Sequence, residues 1–373
     1  MILIISSTII IFAGYFFLTN GKSLLRTNNY TNYVGEVTRV IDSEKTSEGM
    51  ISTSVSVKIL NKDLKGEEVV ASQLSGGIPG YNENPINVGD KFVIHKTEDS
   101  IFLADHYRIN GLFFLIALFF IGLLVLGKIN GLKTIISLTI TCGSIFMLFI
   151  PSIFAGYNIY VTSILTAVFI IITTLPLVSG YTKKSLAAAV GCIGGVLAVS
   201  LITLLMNKVL NLTGFSSQDS ILLLNTSAAM KLPSFDLKAL TFAAIILGAL
   251  GATMDVAISI ASSLFEFCKE VKDVTFKKSL TSGLIIGKDI MGTMTNTLIL
   301  AYIGSSLTTI LLLLMYGGDF SEILSKEIIS TELLQSLAGS IGMLLTIPIT
   351  AIIASYLYIK VKKVKSDREI LNN

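Results

Sequence analysis

Long apolar runs alternate with short polar connections along this chain, and the runs have the length of a bilayer crossing. About 20 apolar residues span the hydrocarbon core of a membrane. Met1–Leu18, Gly111–Gly127, Thr134–Ile150, Ile159–Val178, Leu186–Met206, Leu240–Leu264, Thr295–Tyr316 and Leu337–Ile359 each come close to that length, so the pattern predicts eight spans. The first reads as an uncleaved anchor rather than a signal peptide, because no basic stretch precedes it and no small-x-small site follows.

One segment breaks the pattern. Between residues 19 and 108 the apolar positions alternate or cluster as β-branched residues, at Tyr33–Ile41, Ser52–Leu60, Glu67–Ala71, Lys91–His95 and Ser100–Ala104. Turn-forming residues separate them, as in Asn61–Gly66 and Val88-Gly89-Asp90. Five short strands in so small a segment suit a barrel of the OB or SH3-like type, since closure leaves few exposed edges. The predicted architecture is therefore an α-helical polytopic membrane protein of about eight spans carrying a small all-β barrel, divided as an anchor (1–18), the barrel (19–108) and a helical bundle (109–373).

Composition strengthens this. Of 373 residues, 52% are hydrophobic and 14% charged, against roughly 25% charged in ordinary soluble domains. The net charge of +3 is too small to suggest nucleic acid as a partner. Cys142, Cys192 and Cys268 lie far apart and offer neither a disulfide framework nor a zinc site. His95 and His106 both fall in the barrel segment, where packing or surface roles are expected of them. With no His in the apolar part, intramembrane metalloprotease and serine-protease chemistry lack their ligands and base. No Gly-x4-Gly-Lys-Ser/Thr loop occurs, and no cofactor is implied.

Orientation follows from Lys and Arg in the short loops. Lys128, Lys133, Lys183, Lys184, Lys269, Lys272, Lys277, Lys278, Lys288, Lys360, Lys362, Lys363, Lys365 and Arg368 alternate with loops holding only Lys208, Lys231, Lys238 and Lys326. Fourteen against four puts both termini in the cytoplasm and residues 19–108 outside. Lys22 and Arg26, just outside the first span, run against the trend. The Lys360–Lys365 tail reads as a stop-transfer anchor touching anionic lipid. The external loop Asn207–Lys238 contains an apolar run, Ile221–Leu224, too short to cross and suited to the membrane surface or to capping the bundle. Pro151, Pro176 and Pro348 mark kinks or span ends.

Two stretches exceed what packing needs. In the sixth span Gly248, Gly251, Asp255, Ser259 and Ser262 recur every three or four residues and share one helix face. Small residues admit a neighbouring backbone, but a carboxylate inside a span costs at least ~2.5 kcal/mol and usually faces water or a bundle interior. The second stretch runs Gly287-Lys288-Asp289-Ile290-Met291-Gly292-Thr293-Met294-Thr295-Asn296. Asp289, Thr293 and Asn296 fall at i, i+4 and i+7 on one face. Because Leu280–Tyr316 is too long for one upright helix, a break is expected near Gly287 or Gly292. Antiparallel packing would put Asp255, Lys288 and Asp289 in the cytoplasmic half together.

Three readings compete for these faces. They line a path for a cation, a proton or a polar solute, as broken helices do in transporters. Alternatively, Asp255 pairs with Lys288 in a buried lock that fixes register. Two aspartates also suggest an aspartyl protease, but the Gly-x-Gly-Asp signature is missing, since Ile286-Gly287-Lys288 precedes Asp289.

With these residues in view, the chain resembles the YibE/F-like family of bacterial multi-pass membrane proteins. The likeness is strongest in Gly248–Ser263 and in Gly287–Leu307, and the overall plan is similar along nearly the whole chain. Family members often have Arg-Asp where this chain has Lys288-Asp289, which keeps the charge and loses the bidentate geometry of Arg. The resemblance implies a multi-pass protein of the bacterial cytoplasmic membrane with permease-like activity, and it brings no catalytic or binding residues with it.

The function expected is movement of a small solute or ion past Asp255, Ser259, Lys288, Asp289, Thr293 and Asn296, with Gly248, Gly251, Gly287 and Gly292 as packing or hinge positions. The alternative is a non-transporting scaffold that senses or recruits an envelope protein through the barrel. The expected partners are the lipid bilayer, a small solute or cation and, at the external domain, an envelope protein; a homo-oligomer is compatible with the sequence.

Overall fold

The computed structural model describes residues 2–19, 30–45, 50–76, 86–97, 100–215, 218–230, 232, 234–271, 274–315 and 319–371. Lys22, Arg26, Lys231, Lys272 and Tyr316 lie outside the described residues, as do the side chains of the basic tail from Lys360. The chain forms two compact units, residues 23–126 and residues 1–22 with 127–373. The division falls at 126/127, beside Lys128, where two helical stretches meet.

The first unit holds a closed barrel of β1 (Thr31–Lys45), β2 (Met50–Ile59), β3 (Glu68–Gly76), β4 (Lys91–Lys96) and β5 (Ile101–His106). Its strand order is β1-β2-β3-β5-β4, with β1 antiparallel to β4 and β3 parallel to β5 through Ser72 and Phe102. That order is of the OB type and not SH3-like. Alternate residues Val55, Val57 and Ile59 of β2 point inward with Tyr33, Val37, Phe92 and Ile94. At Gly35 an added Cβ would strike Val57 at 2.5 Å, so glycine lets β1 cross the interior. The Asn61–Gly66 turn is pinned by the Val34 N–H donating to Asn61 Oδ1 at 2.8 Å and by the Tyr33 hydroxyl donating to Asp63 at 3.1 Å. His95 stacks on Tyr30 and His106 on Phe92, both at 4.1 Å.

The helices are α1 (Ile2–Thr19), α2 (Ile109–Ser144), a π-helical turn (Ile145–Phe149), α3 (Ile150–Phe154), α4 (Ile159–Ser179), α5 (Lys183–Val209), α6 (Gln218–Ala229), α7 (Leu237–Glu270), α8 (Phe276–Ser305), α9 (Leu307–Met315), α10 (Phe320–Ser325) and α11 (Glu327–Leu371). Asn158, Thr182, Asp236 and Thr275 cap α4, α5, α7 and α8, each side-chain oxygen accepting an N–H three residues on. The short run Ile221–Leu224 lies in α6.

Among the described residues, five helices are long and apolar enough to cross a membrane, or six when α8 and α9 count as one bent span. The eight expected spans differ from this in two places. Gly111–Gly127 and Thr134–Ile150 run together as one 46-residue stretch, interrupted at Lys128, where φ is 47° and ψ −122°. The first run forms the shorter apolar helix α1, whose Ile11 sits 3.6 Å from where a Cβ on Gly143 would be.

The expected break near Gly287 or Gly292 does not occur. α8 is continuous through both, and the bend of 58° comes at Ser306, after the Gly304-Ser305 step. Gly287 is buried against Ile347 of α11, with no room for a Cβ. In lipid, such a glycine serves contact rather than breakage.

The bundle core is built from α4, α5, α7 and α11, with Ala167, Ile170, Cys192, Val196, Ile246 and Met343 among its buried residues. Its tightest seam joins α5 to α11. A Cβ on Gly191 would collide with the Thr350 hydroxyl, one on Gly195 with the Thr346 hydroxyl, and one on Gly342 with Val199. These glycines bring the two backbones together.

Candidate functional site

α7 buries one face, including Ala249, Thr253, Val256, Ala257 and Ile260, against the core. The opposite face carries the stripe read from the sequence: Gly248, Gly251 and Asp255 are exposed, and Ser259 and Ser262 are partly so. On α8 the buried positions are Ser279, Gly283 and Gly287, whereas Lys288, Asp289, Gly292, Thr293 and Asn296 are exposed. Both polar faces, Gly248 aside, thus look outward from the bundle unit.

α7 and α8 are antiparallel neighbours. An added Cβ on Gly283 would touch Leu264, and one on Gly248 would touch the Tyr302 hydroxyl. Nine residues back from Leu264 is Asp255, and nine on from Gly283 is Gly292. Seven on from Gly248 is Asp255 again, and seven back from Tyr302 is Thr295. Asp255 is therefore level with Gly292–Thr295. The same counting sets Asp289 level with Ile258–Ala261, on the order of 5–9 Å away along the axis at 1.5 Å per residue.

Among the described residues, the side chains of Asp255, Lys288, Asp289 and Asn296 make no hydrogen bond or ion pair. The ion pairs found there are Lys91–Glu36, Arg108–Asp105, Lys269–Glu266 and Lys326–Glu322. The Asp255–Lys288 lock is not formed. Thr293 turns its hydroxyl to Ile290 O of its own helix, at 3.0 Å. Gly251 and Gly292 have nothing within 4 Å of an added Cβ, unlike Gly248 and Gly287. No group of three or more metal-ligating side chains occurs among the described residues.

The buried side of the same helices carries polar contacts that the sequence did not announce. Ser279 shares hydrogen bonds with Ser355 of α11 at 2.8 Å and with Cys268 of α7 at 3.4 Å. The Tyr358 hydroxyl donates to Ala261 O at 2.9 Å. Their donors and acceptors sit on different helices, so no local spacing marks them. The seam glycines did leave a signal, since Gly191 and Gly195 stand four apart on one face of α5.

Two clefts lie elsewhere in the bundle unit. An almost wholly apolar one of about 400 Å³ is bounded by Phe17, Leu148, Ser152, Leu165 and Phe169. A mixed one of about 230 Å³ lies where α4 and α7 begin, beside Tyr157, Asn158, Ser234 and Asp236. The Asp236 carboxylate there is taken up by its cap to the Ala239 N–H, at 3.1 Å.

Comparison with curated proteins and with solved structures finds no match. The profile of the family described as YibE/F-like protein matches residues 115–360, from within α2 to the last turns of α11, and leaves out α1 and the barrel. The chain belongs to the YibE/F-like protein family.

Proposed function

We propose that this chain is a permease-like protein that moves a small polar solute or ion through a hydrated path along the α7 and α8 faces. The observation that carries this reading is the coincidence of two outward polar faces on neighbouring helices, with Asp255 level with the turn holding Thr293. Carboxylates at mid-helix are costly in lipid and are retained where they meet water, a cation or a partner. Asp255 would contact the passing cation or proton, Asp289 and Asn296 would continue the path, and Lys288 would balance charge. We read the membrane as the bacterial cytoplasmic one, with both termini inside and residues 19–108 outside, on the strength of the basic loops and with the break at Lys128 as the turn between two spans. No enzymatic step is assigned.

The scaffold reading draws on the closed OB-type barrel, an architecture whose strand 2–3 face serves binding elsewhere. The two separate on mutation, because transport depends on Asp255 whereas recruitment depends on the barrel surface.

The test is water accessibility. With Cys142, Cys192 and Cys268 replaced, single cysteines at Thr253, Ile258, Thr293 and Asn296 are probed from either side with a membrane-impermeant thiol reagent. Labelling confined to the polar faces supports the path. Uniform protection sinks it, as does full flux activity of Asp255→Asn in proteoliposomes.

A further inference from the structure

The path just proposed lacks a wall. The single chain supplies its inner side, α7 and α8, while Asp255, Lys288, Asp289, Thr293 and Asn296 face outward. Acyl chains cannot form the other side, because they offer nothing to a carboxylate or an ammonium group. We propose that a second copy of this chain supplies it, so that two α7–α8 faces meet in the membrane around one shared polar path.

This inference rests on the path reading, and three observations point to a like copy as the occupant. First, the face is open to close approach where it is polar. Gly251 and Gly292 are clear for 4 Å around an added Cβ, whereas Gly287 and Gly283, further back along α8, are already packed on α11 and on α7 with α11. Second, the face is self-complementary. Each copy offers Asp255 and Asp289 as acids and Lys288 as a base, none of them in an ion pair within its own chain among the described residues. A two-fold axis sets the same patch against itself, so Lys288 of each copy meets the acids of the other. Third, an apolar border flanks the polar strip on α8, with Ile285, Leu300 and Ile303 about half exposed at 55%, 57% and 47%. Such residues pack around a wet centre, as an interface rim does in reverse.

The geometry explains why small residues accompany the acid. Gly251 and Ser259, a turn to either side of Asp255, leave space for the neighbour's backbone and for water beside the carboxylate.

The experiment is photo-crosslinking of the full-length chain in its native membrane, with p-benzoylphenylalanine in place of Thr293 or Leu300, and of Leu201 on the outer face of α5 as the reference. Products are separated by denaturing electrophoresis and weighed intact. A covalent pair of identical chains, at least ten-fold stronger from positions 293 and 300 than from 201, is expected, and Lys288→Asp should lower it. Equal yields from all three positions, products with lipid alone, or products with another protein overturn the proposal. Read beside thiol accessibility, the two ideas separate. Pairing with a protected face keeps the dimer and removes the path, whereas a labelled face without pairing keeps the path and removes the dimer.

Discussion

Glu327 accepts three hydrogen bonds from one bend of the chain: from the Thr213 N–H at 2.7 Å, the Thr213 hydroxyl at 2.7 Å and the Gly214 N–H at 2.6 Å. Glu327 opens α11 and Thr213 follows α5, so one carboxylate ties the end of one helix to the start of the other. Gly214 makes the bend with φ of +87°, and a Cβ there would meet the Leu237 backbone at 2.5 Å. Only glycine fits both demands.

Removing that carboxylate should loosen the α5–α6 connection first. Glu327→Ala is expected to cost about 1–3 kcal/mol, as lost charge-assisted hydrogen bonds do, and Glu327→Gln less. Thermal unfolding in detergent reads the stability, and limited proteolysis between α5 and α6 reads the local opening. Unchanged cleavage in Glu327→Ala would contradict the tie.

The α5–α11 seam should reject any added carbon. Gly195→Ala forces a methyl onto the Thr346 hydroxyl, and overpacking of this kind costs about 1–3 kcal/mol. Thr346→Ala in the same chain should restore part of the loss, because the clash is with that side chain. Monodispersity on gel filtration compares the three variants, and absence of rescue would mean that the contact is not where the structure has it.

Ser279 and Ser355 test the smaller contacts. Cross-helix hydrogen bonds in membranes are worth about 0.6 kcal/mol on average, so a double-mutant cycle over Ser279→Ala and Ser355→Ala should return a coupling of that order. A coupling near zero would assign the pair to geometry alone.

The barrel should weaken in alkali through Tyr33. Burial, and then its hydrogen bond to Asp63, raise the Tyr33 hydroxyl above its usual 10.0. The unfolded chain therefore loses this proton before the folded one does. The stability involved is whole below about pH 10 and falls as pH rises through the higher folded value. Denaturant midpoints between pH 9 and pH 11 should fall further in the natural chain than in Tyr33→Phe, and parallel curves would exclude the effect.

What the sequence revealed and what it withheld divide along locality. The five strands were legible because Val55-Val57-Ile59 and Phe92-Ile94 keep a period of two, which a pleated surface imposes. The choice between OB and SH3-like pairing was not, since the Ser72–Phe102 neighbourhood joins strands 30 residues apart. The stripe around Asp255 was visible as a period, yet its outward direction depends on how α7 meets α4, α5 and α11. Gly287 misleads because glycine in a polar stretch reads as a breaker; beneath Ile347 it is a contact surface, and the bend lies at Ser306. Glu327 and Thr213 stand 114 residues apart, beyond any local pattern.

The glycine seam also has a mechanical meaning. Where α5 and α11 interlock backbone to backbone, neither slides nor tilts without driving a carbonyl or hydroxyl into its neighbour, so the two behave as one stiff frame. α8 is fastened to that frame at its near end, through Ser279, Gly283 and Gly287, and further along by Leu298 against Gly339 of α11. Between those contacts Ile290 and Met294 still pack on the core, while Lys288, Asp289 and Asn296 stay exposed. Stiffness and charge are thus allotted to different helices: the interlocked pair α5–α11 is the rigid member, and the charged positions ride on α8 outside it.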